Sequence, residues 1–143
     1  MPTRHISRAS LAATLVVAFL TLGCNAITAP SSALAGTYTL QTVNGGGLPY
    51  VTSVSATDTV QVTAGTIAIQ SDSTFVTTLS SRYASPGVVT SSTRTQDGTW
   101  SATGTTIAFS YTNGGADAGS VSGNVLTIIA TTGSGPLTYV FQK

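Results

Sequence analysis

From residue 36 onward the chain alternates apolar and polar residues with a period of two, interrupted by short clusters of Gly, Asn, Asp and Pro. That alternation sends successive side chains to opposite faces of an extended strand, leaving one face apolar. The spacing predicts strands over 37–43, with Tyr38 and Leu40 on one face, over 59–63 and 66–70, and over 74–83, with Phe75, Leu79 and Tyr83 aligned. Further strands are predicted over 88–96, 99–102 with Trp100, 105–112 with Ile107, Phe109 and Tyr111, 120–122, 125–131, and 137–142 with Leu137, Tyr139 and Phe141. Beyond the N-terminal segment no stretch has a convincing helical period.

The interruptions read as turns. Asn44-Gly45-Gly46-Gly47 ends the first strand, and Leu48-Pro49-Tyr50 begins an irregular crossing. Ala64-Gly65, Asp72-Ser73, Pro86-Gly87, Asn113-Gly114-Gly115 and Gly123-Asn124 separate the later runs, and Asp97-Gly98 carries the strongest two-residue hairpin signal. Connections this short imply antiparallel hairpins in a meander. Such a chain must close on itself or stack as two sheets, and closure removes the exposed edges. The expectation is an all-β fold, a small antiparallel up-and-down β-barrel of about eight to nine strands, with a β-sandwich as the alternative.

Ahead of this pattern the chain changes character. Arg4, His5 and Arg8 precede an uncharged apolar run over 9–23 that ends in Thr21-Leu22-Gly23-Cys24. A basic start, an apolar stretch and small residues at its end are the layout of a secretory signal. The run is shorter than the roughly 20 residues that a permanent membrane-spanning helix needs. Leu22-Gly23-Cys24 resembles the lipobox recognised by the lipoprotein signal peptidase. The resemblance implies cleavage before Cys24, a diacylglycerol group on its thiol and often a further chain on its freed amine. Cys24 is the only cysteine, whereas exported domains usually pair theirs. Two or three acyl chains make an anchor that does not readily dissociate.

The expected organisation is therefore a lipoprotein signal peptide over 1–23, a lipidated Cys with a flexible tether over 24–35, and a β domain over 36–143. Small polar residues and Pro30 mark the tether, and the eleven residues 25–35 reach about 18 Å as a flexible chain. Asn25 follows the cysteine, not the aspartate that retains some lipoproteins at the inner membrane of enteric bacteria. The resemblance thus implies export and lipid anchoring to the cell envelope, on the periplasmic face of the outer membrane or the cell surface.

With 1–23 removed, the charged side chains are Arg82, Arg94 and Lys143 against Asp58, Asp72, Asp97 and Asp117. There is no basic field for nucleic acid. Few charges together with recurring aromatic and β-branched residues favour a packed fold over disorder. The chain has no glutamate, and its single histidine, His5, leaves with the signal. General acid–base work by the commonest groups and triad chemistry both lack their base. Zinc lacks ligands, and Asn113 with Asp117 matches no spaced calcium loop. The aspartates read as turn formers. The glycine clusters lie between strands with no helix start and no following Lys-Ser/Thr, so they read as turns, not phosphate loops. The expectation is no catalysis, no cofactor and no metal.

Gly36-Thr37-Tyr38, Val43-Asn44-Gly45 with Leu48-Pro49, Gly98-Thr99-Trp100-Ser101, Ser122-Gly123-Asn124 with Leu126-Thr127-Ile128, and the closing Leu137-Thr138-Tyr139-Val140-Phe141 form a further pattern. Together they resemble the bacterial lipocalin-like domains, small eight-stranded up-and-down barrels often found behind a lipobox. In true lipocalins the first strand carries Gly-x-Trp, and an arginine near the last strand packs over the indole; here Tyr38 holds the Trp place and Lys143 is the nearby C-terminal cation. The resemblance implies a membrane-anchored binding module for a small apolar ligand, with Tyr38, Phe75, Trp100, Phe109, Tyr111, Tyr139 and Phe141 as candidate cavity-lining residues. Barrels of this size are either filled by their own side chains or just wide enough for one small ligand, and packing is the simpler reading of these aromatics. A solid barrel leaves a second function, a structural or protein-interaction envelope lipoprotein. The weakly alternating run over 88–96, in which Arg94 is the one charged residue, would then add to a partner's sheet.

Overall fold

The computed structural model describes residues 31–133 and 135–143, so the signal segment, the lipobox and Cys24 lie outside the described residues. A four-residue helix α1 (Ser31–Leu34) precedes strands β1 (Gly36–Val43), β2 (Gly46–Gly47), β3 (Tyr50–Val54), β4 (Thr59–Ile69) and β5 (Thr74–Ser85). Strands β6 (Val88–Thr103), β7 (Thr106–Tyr111), β8 (Ala116–Ser122), β9 (Val125–Thr132) and β10 (Gly135–Gln142) follow. Eight strands run β1-β10-β9-β8-β7-β6-β5-β4. The antiparallel pairing of β1 with β4, Gly36 opposite Ile69 and Thr39 opposite Thr66, closes the ring. The fold is thus a closed antiparallel up-and-down barrel, and the sandwich alternative is not adopted. β2 pairs only with β1, and β3 adds to the outer edge of β4.

The period of two explains the interior. Tyr38, Ile67, Ile69, Phe75, Trp100, Ile107, Phe109, Leu126 and Phe141 are buried inside the ring, while the intervening Thr, Ser and Ala positions face outward. Full burial of one such large side chain stabilises the fold by roughly 1.5–3 kcal/mol. An apolar interior with a polar exterior is the reverse of what a membrane-spanning barrel presents. Among the described residues no helix is long and apolar enough to cross a membrane.

Two irregularities shift the alternation. The register slips between Leu40 and Thr42 and between Val62 and Ala64, and such bulges change which face the following residues occupy. As a result Val43 joins Leu40 in the core, and Val62 and Ile67 share it across an odd interval. The expected turn at Ala64-Gly65 is instead the bulged middle of β4, where Gly65 lies against Leu40 and Leu79.

Asp97-Gly98 is likewise not a hairpin. β6 runs straight through it, with Gly98 opposite Phe75 on one side and Tyr111 on the other. A Cβ at Gly98 would run into the Ser110 carbonyl oxygen and come within 2.9 Å of the Phe75 ring. The glycine therefore serves close approach, and the Asp97 carboxylate accepts a hydrogen bond from the Thr112 hydroxyl at 2.8 Å. By contrast Asn44 (φ 48°) and Gly45 (φ 79°) turn as expected, both with the positive φ that a two-residue hairpin of type I′ demands.

The last residues of the expected tether are folded. Leu34 in α1 is buried, and its carbonyl accepts the Tyr38 hydroxyl at 2.9 Å. The Lys143 ammonium donates to the carbonyls of Ala33 at 3.2 Å and Ala35 at 3.1 Å and stands 5.2 Å from the centre of the Tyr38 ring. This cation over an aromatic face seals the barrel end where the chain enters.

Candidate functional site

Strand direction sorts the connections into two ends. At the sealed end lie α1 and the β4–β5, β6–β7 and β8–β9 turns; at the other lie the β5–β6, β7–β8 and β9–β10 turns. Near the sealed end the inward positions carry large rings. Phe75 meets Phe109 edge-on at 4.9 Å and Tyr111 at 5.3 Å between ring centres. The Trp100 indole N–H donates to the Gln70 carbonyl at 3.0 Å and its backbone N–H to that of Ser73 at 2.9 Å. Phe75, Phe109 and Trp100 are buried in one packed cluster.

Toward the other end the inward residues shrink and the strands end unevenly. Above Phe75, β5 places Thr77 opposite Gln96 and Leu79 opposite Arg94 of β6. β7 stops at Tyr111, so β6 has no strand neighbour on that side above Gly98. Gly115, Ala116 and Ala130 occupy the facing wall. The result is a cavity of about 390 Å³ open at the rim. Ile128, Ala130, Leu79 and Phe141 make its apolar surface, and Tyr111, Tyr139, Asp117, Gln96, Thr77 and Arg94 supply polar atoms.

Asp117 is the most informative of these. It lies on β8 opposite Phe109, half-buried, and its Oδ2 accepts the Tyr111 hydroxyl at 2.7 Å. Burial, then the hydrogen bond to Asp117 and its negative charge, push the Tyr111 phenol far above its ordinary value, and Arg94 opposes this weakly. Burial and the same carboxylate also raise Tyr139. Both phenols therefore remain hydrogen-bond donors at neutral pH, and Asp117 presents an acceptor inside the barrel. That set can hold and orient a ligand.

The structure divides the seven candidate aromatics. Tyr111, Tyr139 and Phe141 line the cavity, whereas Tyr38, Phe75, Trp100 and Phe109 fill the sealed half. Cys24 lies outside the described residues. Leu79, Ile128, Ala130 and Asp117 were not expected to line a cavity. Asp117 read as a turn former because the run 116–119 (Ala-Asp-Ala-Gly) has no apolar alternation of its own. The signal that locates it is the spacing Asp117, Gly119, Val121, one face of a strand leading into the buried Val121. Asp72 does act as a turn former, its Oδ1 accepting the Thr74 N–H at 3.0 Å and hydroxyl at 2.6 Å.

No protein-family model, no curated protein and no solved structure matches the chain.

Proposed function

We propose that this chain is a non-catalytic, lipid-anchored binding protein of the cell envelope whose lipocalin-like barrel holds one small ligand with an apolar body in its open half. The observation that carries this reading is the cavity of about 390 Å³ with an apolar wall and a few convergent polar groups. Its size falls within the roughly 300–1,000 Å³ of small-molecule sites. The lipobox pattern ending in Cys24 supports the anchor. Because the chain enters the barrel at its sealed end, a lipid on Cys24 leaves the mouth clear for exchange with the aqueous side.

Binding is tested with phenylnaphthylamine, a neutral apolar fluorophore. The intact chain should bind it saturably at one site, and Ala130→Trp, which fills the cavity, should abolish the signal. Unsaturable partitioning, or binding that survives Ala130→Trp, contradicts the reading. The anchor is tested by metabolic labelling with a clickable fatty acid. Cys24→Ala should lose the label and move the chain to the soluble fraction.

One observation favours a second reading, a protein-interaction lipoprotein. Residues 88–96 of β6 pair with β5 on one side only, and Val88, Val89, Val51 and Val54 are exposed on the four-stranded extension β3-β4-β5-β6. An unpaired edge of this length, with one charged residue, is a template for an added strand. A photo-cross-linker at Ser91 in membranes should capture one discrete envelope protein; no adduct would count against this reading.

A further inference from the structure

Resting on the ligand-binding reading above, we infer that the cavity is selective for organic cations: its ligand carries an ammonium group on an apolar body, and Asp117 is the counter-ion. The carboxylate sits on the inward side of β8, half-buried, among lining residues that are otherwise mostly apolar or aromatic. Taking a carboxylate out of water is costly unless hydrogen bonds or an opposite charge replace the water. Tyr111 supplies one hydrogen bond to Oδ2. Among the described residues no lysine or arginine forms an ion pair with Asp117, and Oδ1 accepts no further hydrogen bond. No buried polar side-chain atom among the described residues lacks a partner, so Oδ1 is open to the water of the cavity and is the acceptor atom a ligand would take over.

The surroundings of that atom suit a cation. The rings of Tyr111, Tyr139 and Phe141 line the same cavity, and aromatic faces attract ammonium groups electrostatically. Arg94 is the one positive side chain on the lining and lies on the exposed part of β6, where solvent screens it. The negative pole prevails deeper in: Asp117 raises both Tyr111 and Tyr139, while Arg94 only partly offsets its effect on Tyr111. An anionic amphiphile entering head first would meet Asp117 and be repelled. An ammonium group gives up its water for a charge-assisted hydrogen bond to Oδ1 and the faces of the rings, while its apolar body lies against Leu79 and Ile128.

Three probes that share a phenyl body separate the outcomes: phenethylammonium, phenethyl alcohol and phenylpropionate, titrated calorimetrically into the intact chain at neutral pH. The ammonium should bind about tenfold more tightly than the alcohol, the gain of one charge-assisted hydrogen bond, and the propionate should bind weakest. In Asp117→Asn the ratio of ammonium to alcohol affinity should fall to about one. If the alcohol binds saturably and the ammonium no better, the counter-ion role of Asp117 is overturned while the cavity keeps its apolar ligand. If none of the three binds saturably, the cavity itself is not a ligand site and both readings fall. Because the wild-type series alone decides selectivity, a poorly folded variant cannot shield the inference.

Discussion

The two ends of the barrel are made from the same eight strands, yet one is solid and the other hollow. At the sealed end Phe75, Phe109, Ile107 and Leu126 are almost wholly buried and meet across the ring. At the open end the corresponding inward positions are Thr77, Gln96, Asp117 and Ala130, and β7 stops short while β5 and β6 run on. An eight-stranded ring is near the threshold between a filled and a ligand-holding interior. What decides is the size of the inward side chains and how evenly the strands end. A single barrel can therefore carry its stability in one half and its site in the other.

The largest expected effect lies in the solid half. Phe109→Ala removes a ring that packs edge-on against Phe75 at 4.9 Å and should cost about 3–5 kcal/mol in urea unfolding. Gly98→Ala comes next. Its Cβ would meet a backbone carbonyl of β7 that no rotamer change can move, so a loss of about 1–3 kcal/mol is expected. Lys143→Met should lose about 1 kcal/mol, since the cation over Tyr38 and its two carbonyl bonds are exposed to solvent.

Leu79→Ala sharpens the contrast. Leu79 is only half-buried and borders the cavity, so stability should fall by less than about 1 kcal/mol while phenylnaphthylamine binding weakens. A cost equal to that of Phe109→Ala would erase the difference between the halves. The smallest effect is alkaline. Tyr111 and Tyr139 have folded values raised above the ordinary 10.0, so the fold favours their protonated forms. Their contribution is complete below pH 10.0 and is lost as pH climbs above that value toward the folded ones. Tyr111→Phe should flatten that alkaline decline, and ultraviolet titration should show one fewer late-ionising phenol.

Much of the barrel was legible because its signal is local. Alternation gave the inward residues of β1, β5, β7 and β10, and Asn44-Gly45 and Pro86-Gly87 marked real turns. The misreadings share a physical cause. Ala64-Gly65 and Asp97-Gly98 look like turns by composition, but glycine also serves close approach, and only the neighbouring strand shows which use applies. Leu40 and Val43 appear to face opposite ways because a bulge cannot be read from alternation alone. The cavity was out of reach for the same reason: it arises from unequal strand ends and from residues on six different strands, β5 to β10, which closure alone brings together.

The most direct test follows the side-chain methyl resonances of the intact chain while phenylnaphthylamine is added. The expected result is saturable shifts at Ile128, Ala130 and Leu79 with one common affinity, and no shift at Ile107, Ile69 or Leu126 in the sealed half. Shifts confined to Val51, Val54, Val88 and Val89 on the exposed extension, or no saturation at any of these methyls, would contradict a barrel that is hollow and ligand-binding at one end.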